Sequence, residues 1–136
     1  MLDSSVLVAG FRSRRGASYR LLTLLREGRY QIAMSVPLAL EYEAVLLRHA
    51  KELGFARDEA IRLLDYLCSI SSHHEIHFLW RPTLSDPRDE FILELAVTAR
   101  CNGIVTHNIR DFVQAGRFGV RVMHPAECVA AVEKAL

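Results

Sequence analysis

The strongest constraint in this sequence is an alternation of periods. Short apolar runs, too brief for helices, recur between longer stretches whose apolar residues fall at helical spacing. Tyr30–Met34, Glu75–Trp80, Gly103–Thr106 and Val120–Met123 read as strands, and Leu2 ends a further apolar segment. Between them, Ala17–Arg26, Ser35 to near Glu52, Ala56–Ile70, Glu90–Arg100 and Ala126–Leu136 read as helices. Local signals mark the ends: Gly28 and Gly54 stop two helices, Ser35 caps the next with Pro37 in its first turn, and Pro82 with Asp86-Pro87 marks a loop. Parallel strands need crossover connections, so strands alternating with helices predict an α/β fold with a parallel sheet covered on both faces. The 136 residues fit one domain, spanning 1–136.

Composition narrows the function. No run approaches the roughly 18 to 20 apolar residues of a membrane span, and the start lacks a signal-peptide pattern, so a cytoplasmic protein with no membrane partner is expected. Cys68, Cys101 and Cys128 are odd in number and widely spaced, which fits small apolar packing residues better than disulfides or zinc ligands. A net charge of +1 gives no global pull on a polyanion. Its distribution is uneven, however: Arg12, Arg14, Arg15, Arg20, Arg26 and Arg29 precede or flank Glu27, the first acid after Asp3, and make either a basic face or an ordinary solvated helix flank.

In parallel sheets the functional crevice lies at the carboxyl ends of the strands. Asp3 directly follows the first apolar segment, where it either caps a turn or binds a ligand. Glu41 lies beside the Leu38, Tyr42 and Val45 stripe of its helix, facing the sheet or snorkelling to water, whereas Glu43 points away. Asp86, Asp89 and Glu90 crowd one helix start, more acid than a cap requires. Thr106, Asn108 and Asp111 follow the Ile104-Val105 strand, as turn formers or as site residues. Convergence of these acids would suit a hard cation, Mg²⁺ or Mn²⁺, and phosphodiester hydrolysis.

The order of these motifs resembles the PIN-domain family over nearly the whole chain, and most closely its toxin–antitoxin branch. Leu2-Asp3-Ser4-Ser5-Val6-Leu7 resembles the family's opening, Pro37-Leu38-Ala39-Leu40-Glu41-Tyr42 the helix with its second acid, Asp86-Pro87-Arg88-Asp89 its Asp-Pro-x-Asp segment, and Val105-Thr106-His107-Asn108-Ile109-Arg110-Asp111-Phe112 its last signature. The resemblance implies a three-layer α/β/α sandwich and an Mg²⁺- or Mn²⁺-dependent endoribonuclease acting on RNA. It also implies a homodimer silenced by a cognate antitoxin protein. Asp3, Glu41, Asp89 and Asp111 would be its acidic set, with Asp3, Glu41 and Asp89 on the metal, and Ser5, Thr106 and Asn108 in support or at the substrate. Ser5 stands where the family most often has Asn, and Asn108 where many members have Asp. These two departures point to the alternative, a catalytically degenerate PIN-like module that binds RNA or protein.

Other chemistries fit less well. His74 and His77 would point to opposite faces of a strand, so the His73, His74, His77 and Glu75 group makes a poor zinc site. A phosphoacceptor domain would place a Lys at a strand end, but Lys51 and Lys134 both lie in helical segments. His107 reads as a solvent-facing loop residue. Leu47, Phe55, Leu63 and Leu67 exceed one buried stripe per helix and predict self-association.

Overall fold

A computed structural model of the chain describes residues 1–75 and 90–135. Six helices, α1 (Ser4–Arg12), α2 (Ala17–Arg26), α3 (Val36–Leu53), α4 (Arg57–Ser69), α5 (Glu90–Thr98) and α6 (Pro125–Lys134), accompany four short strands among these residues. The strands are β1 (Ala33–Met34), β2 (Ser72–His73), β3 (Gly103–Val105) and β4 (Arg121–Met123). All pairing is parallel: β1 with β2, β3 with β4, and Leu2 with Val105 on the other edge of β3. The α/β alternation therefore stands, in a chain richer in helix and poorer in strand than its apolar runs foretold. Tyr30–Met34 shortens to two paired residues, and the pairing after α4 begins at Ser72, ahead of the Glu75–Trp80 run, of which 76–80 lie outside the described residues.

The close approach of β3 to β4 depends on Gly103. A Cβ there would meet the Arg121 carbonyl oxygen at 2.6 Å, closer than packing permits. The Leu2–Val105 bridge is reinforced by Asp3 N–H donating to the Val105 carbonyl at 2.9 Å and Val105 N–H donating to the Met1 carbonyl at 2.8 Å. These bonds register the start of the chain against residues a hundred positions away.

Helix α3 follows its sequence signals closely. Ser35 Oγ accepts from Leu38 N–H at 3.3 Å, Pro37 occupies the first turn, and Gly54 ends the helix with φ 78, a conformation costly for other residues. Leu38, Tyr42, Val45 and Leu46 form its buried face. The Tyr42 hydroxyl donates to the Leu2 carbonyl, and burial first, then the nearby Asp3, keeps it protonated far above the ordinary tyrosine range. One apolar cluster joins Leu38, Tyr42 and Leu46 of this face to Leu2, Leu7, Leu21, Met34, Leu93, Ile104 and Phe112.

Three features were not given by the periodicity. Ser4–Arg12 is helical, because Asp3 ends the extended backbone and Val6, Leu7 and Gly10 then face the core at helical spacing. Residues 109–118, to which no element was assigned, form a 3₁₀ segment kinked at Phe112, whose ring is buried. On α4 the buried residues are Ala60, Leu64 and Leu67, while Ile61 is 37% exposed. Of the residues behind the self-association expectation, Leu67 is buried, Leu47 and Leu63 pack half-buried on the core, and Phe55 meets Phe11 edge-on at 5.5 Å. Val36, Leu40 and Val113 are the most exposed large apolar side chains instead.

Candidate functional site

Asp3 sits in extended backbone at the N-cap position of α1, yet its side chain makes no capping hydrogen bond. The carboxylate turns instead across the chain. Its Oδ2 accepts from Thr106 Oγ1 at 2.7 Å and from Ser5 Oγ at 2.8 Å, and the two hydroxyl oxygens lie 3.5 Å apart. Each hydroxyl oxygen is oriented in turn: Asn108 N–H donates to Thr106 Oγ1 at 2.9 Å, and His107 N–H donates to Ser5 Oγ at 3.1 Å. Asp3 and Thr106 are both buried. An acid withheld from water and held by two ordered donors is set in one position before any ligand arrives.

This knot floors a cleft of about 670 Å³ lined by Asp3, Ser5, Glu41, Asn108 and Asp111. Glu41 is half-buried on α3 and Glu43 is exposed, as the helical period requires. Neither Asn108 nor Asp111 uses its side chain for a local cap; the Asp111 amide bonds the Asn108 carbonyl at 3.0 Å. The turn-former alternative for both thus lacks its hydrogen bonds, and their side chains are left to the cleft. Of the residues singled out from sequence, Asp3, Ser5, Glu41, Asn108 and Asp111 line one space, with Thr106 buried beneath. Asp86 and Asp89 lie outside the described residues.

The cleft also contains residues that the motifs did not single out as a group. Arg12, Arg48 and His49 line it with Val8, Ala9 and Val45. Their signal was present as periodicity: Glu41, Val45, Arg48 and His49 share one face of α3, and Ser5, Val8, Ala9 and Arg12 share one face of α1. Only packing α1 on α3 shows that the two stripes face one space.

His107, also on the cleft, is exposed as a residue, but its ring is engaged. Nε2 lies 2.7 Å from Ser18 Oγ, and the ring meets that of His124 edge-on at 5.0 Å. Desolvation and then the neighbouring His124 hold its pKa below the ordinary histidine value, against the opposing pull of Asp3. His124 itself caps α6, its Nδ1 accepting from Ala126 N–H at 3.3 Å. Elsewhere, His73 Nε2 lies 2.7 Å from the Cys68 carbonyl, and Cys68, Cys101 and Cys128 are free thiols.

Oxygen donors dominate the polar lining, the chemistry that hard divalent cations select. Among the described residues no three His, Cys, Asp or Glu side chains are grouped tightly enough to cage an ion. Mg²⁺ and Mn²⁺ accept oxygen ligands of this type and retain several waters of their own. No helix among the described residues is long and apolar enough to cross a membrane.

Compared with known proteins, residues 1–110 match the family model described as PIN domain. No curated protein and no solved structure matches the chain.

Proposed function

This chain belongs to the PIN-domain family, whose members are generally nucleases, and from that premise we propose that it is an Mg²⁺- or Mn²⁺-dependent endoribonuclease, the toxin of a toxin–antitoxin pair. One observation carries the reading: Asp3 occupies a helix N-terminus, declines the cap, and is locked by Ser5 and Thr106 in a cleft shared with Glu41 and Asp111. A merely structural acid at that position would accept from the first-turn amides.

The reaction is hydrolysis: a water oxygen bonds to phosphorus, the bond to the leaving oxygen breaks, and the leaving oxygen takes up a proton. Asp3 and Glu41 would hold the cation, with Asp89 as the third acid from the resemblance. Bound there, the ion would supply charge neutralisation at the phosphate and a more acidic water. The chain's own contribution is position. Thr106 and Ser5 fix the Asp3 carboxylate, Tyr42 holds the backbone just before it, and Asn108 presents a neutral amide toward the substrate. Asp111 adds negative charge to the cleft lining. An antitoxin that silences such an enzyme would cover this cleft, and a homodimer would leave it open.

The test is RNA cleavage with Mn²⁺, with and without chelator, by wild type, Glu41→Gln and Glu43→Gln. Glu41→Gln is expected to lose at least about 10-fold in rate, while Glu43→Gln cleaves as wild type. Equal cleavage by all three would remove Glu41 from the site. RNA retained but never cut by wild type, across several RNAs and both metals, would establish the degenerate binding module instead.

A further inference from the structure

An acidic floor alone repels the polyanion it is meant to cleave, and a net charge of +1 provides no compensating field. The cations must be local. Arg12 at the end of α1 and Arg48 and His49 on α3 all line the cleft, on the faces that also carry Ser5 and Glu41. They are held unequally. Glu52, one helical turn beyond Arg48 on α3 and outside the cleft lining, pairs with Arg12 Nη2 at 2.5 Å and with His49 Nδ1 at 3.1 Å. The Arg12 and Glu52 side chains are each about half exposed. Arg48 is exposed and has no acidic partner among the described residues.

A carboxylate that gathers a guanidinium and an imidazole at the edge of a cleft imitates a phosphate, since both present paired anionic oxygens to planar donors. We propose that Arg12, Arg48 and His49 form a phosphate-binding wall for the ribose-phosphate backbone of the RNA strand, with Glu52 as an internal competitor occupying Arg12 and His49 until RNA displaces it. The proposal rests on the reading of the cleft as an RNA site and adds the residues that grip the strand beside the reacting phosphate. Arg48 makes the first contact because nothing must be displaced. Arg12 and His49 follow, and the Arg12–Glu52 tie between α1 and α3 opens. An exposed ion pair of this kind is weak enough to exchange for a phosphate.

The experiment measures binding without cleavage: fluorescence anisotropy of a short labelled oligouridylate, in chelator, across a low-salt series. Arg48→Ala and Arg12→Ala are each expected to weaken binding by about 3- to 10-fold and to reduce the slope of log affinity against log salt by about 0.7, the value of one single-strand phosphate contact. Glu52→Gln removes the competitor and should tighten binding by about 2- to 5-fold. Glu43→Gln makes the same charge change on the exposed side of α3 and should not tighten it. Unchanged affinity in a folded Arg12→Ala/Arg48→Ala protein, or no binding by wild type at low salt, overturns the wall. Glu52→Gln binding no tighter than Glu43→Gln overturns the competitor. If the arginine dependence holds but wild type cuts no RNA with Mn²⁺, the wall stands and the nuclease reading falls.

Discussion

The floor of the cleft and its α3 wall each present an acid, and they are built in opposite ways. Asp3 is buried and held by hydroxyls from Ser5 and from Thr106, the latter 103 residues away. Glu41 is half-buried, projects from a helix face, and has no hydrogen bond or ion pair among the described residues. The floor has already lost its freedom before a ligand binds, whereas the wall must order its side chain on binding, at an entropic cost. Pre-set acids make the sharper contribution to chemistry, and a free one adapts to what enters.

The sharpest way to break this contrast is Asp3→Asn. Its amide oxygen can still accept from Ser5 and Thr106, so the melt should change by about 1 kcal/mol or less, while cleavage falls by more than about 100-fold, beyond the roughly 10- to 100-fold of a residue that only supports a metal ligand. Asp89→Asn, outside the described residues, should lose cleavage likewise with its fold intact. If Asp3→Asn cost no more activity than Glu41→Gln, pre-ordering would confer no advantage. Thr106→Val comes next. It preserves shape but removes the donor to Asp3 and the acceptor of Asn108 N–H, so thermal denaturation should show a loss of about 1–3 kcal/mol, and metal titration or cleavage a loss of about 10- to 100-fold. A silent Thr106→Val would mean that Ser5 alone holds the carboxylate.

Smaller effects separate helix from knot. Ser35→Ala removes the cap of the helix that carries Glu41 and should cost about 1 kcal/mol by denaturant titration, with cleavage little altered because the buried Leu38, Tyr42 and Val45 still seat α3. The smallest effect is one of pH. The His107 pKa is lowered in the folded protein, so between that value and about 6.5 the unfolded chain binds more protons. This contribution to stability is complete above about pH 6.5 and is lost as pH falls through the folded pKa. Melts of wild type and His107→Gln between about pH 7 and pH 5 should converge as the pH falls. A His107 effect growing toward low pH would reverse the assigned direction.

The parts of the site that lie along one helix were legible in the primary structure. The period placed Glu41 inward and Glu43 outward, and Ser35, Pro37 and Gly54 bounded the helix between them, because each of these preferences acts over one or two turns. Motif order likewise marked Asp3, Asn108 and Asp111. The same local rules failed where two preferences competed. The apolar run after Asp3 could not declare itself a helix, and it is packing that buries Leu64 and Leu67 of α4 and leaves Ile61 partly exposed.

Sequence alone determined most of the alternating helices, the Ser35 cap and Gly54 stop of α3, and the inward side of Glu41, since steric and hydrogen-bonding preferences act between near neighbours. Tertiary structure decided that Asp3 forgoes its helix cap for Thr106, that Arg12 on one helix meets Glu52 on another, and that His107 lies between Ser18 and His124. Those choices turn on contacts between residues far apart in the chain, and no local preference encodes which partner a side chain meets once the core has closed.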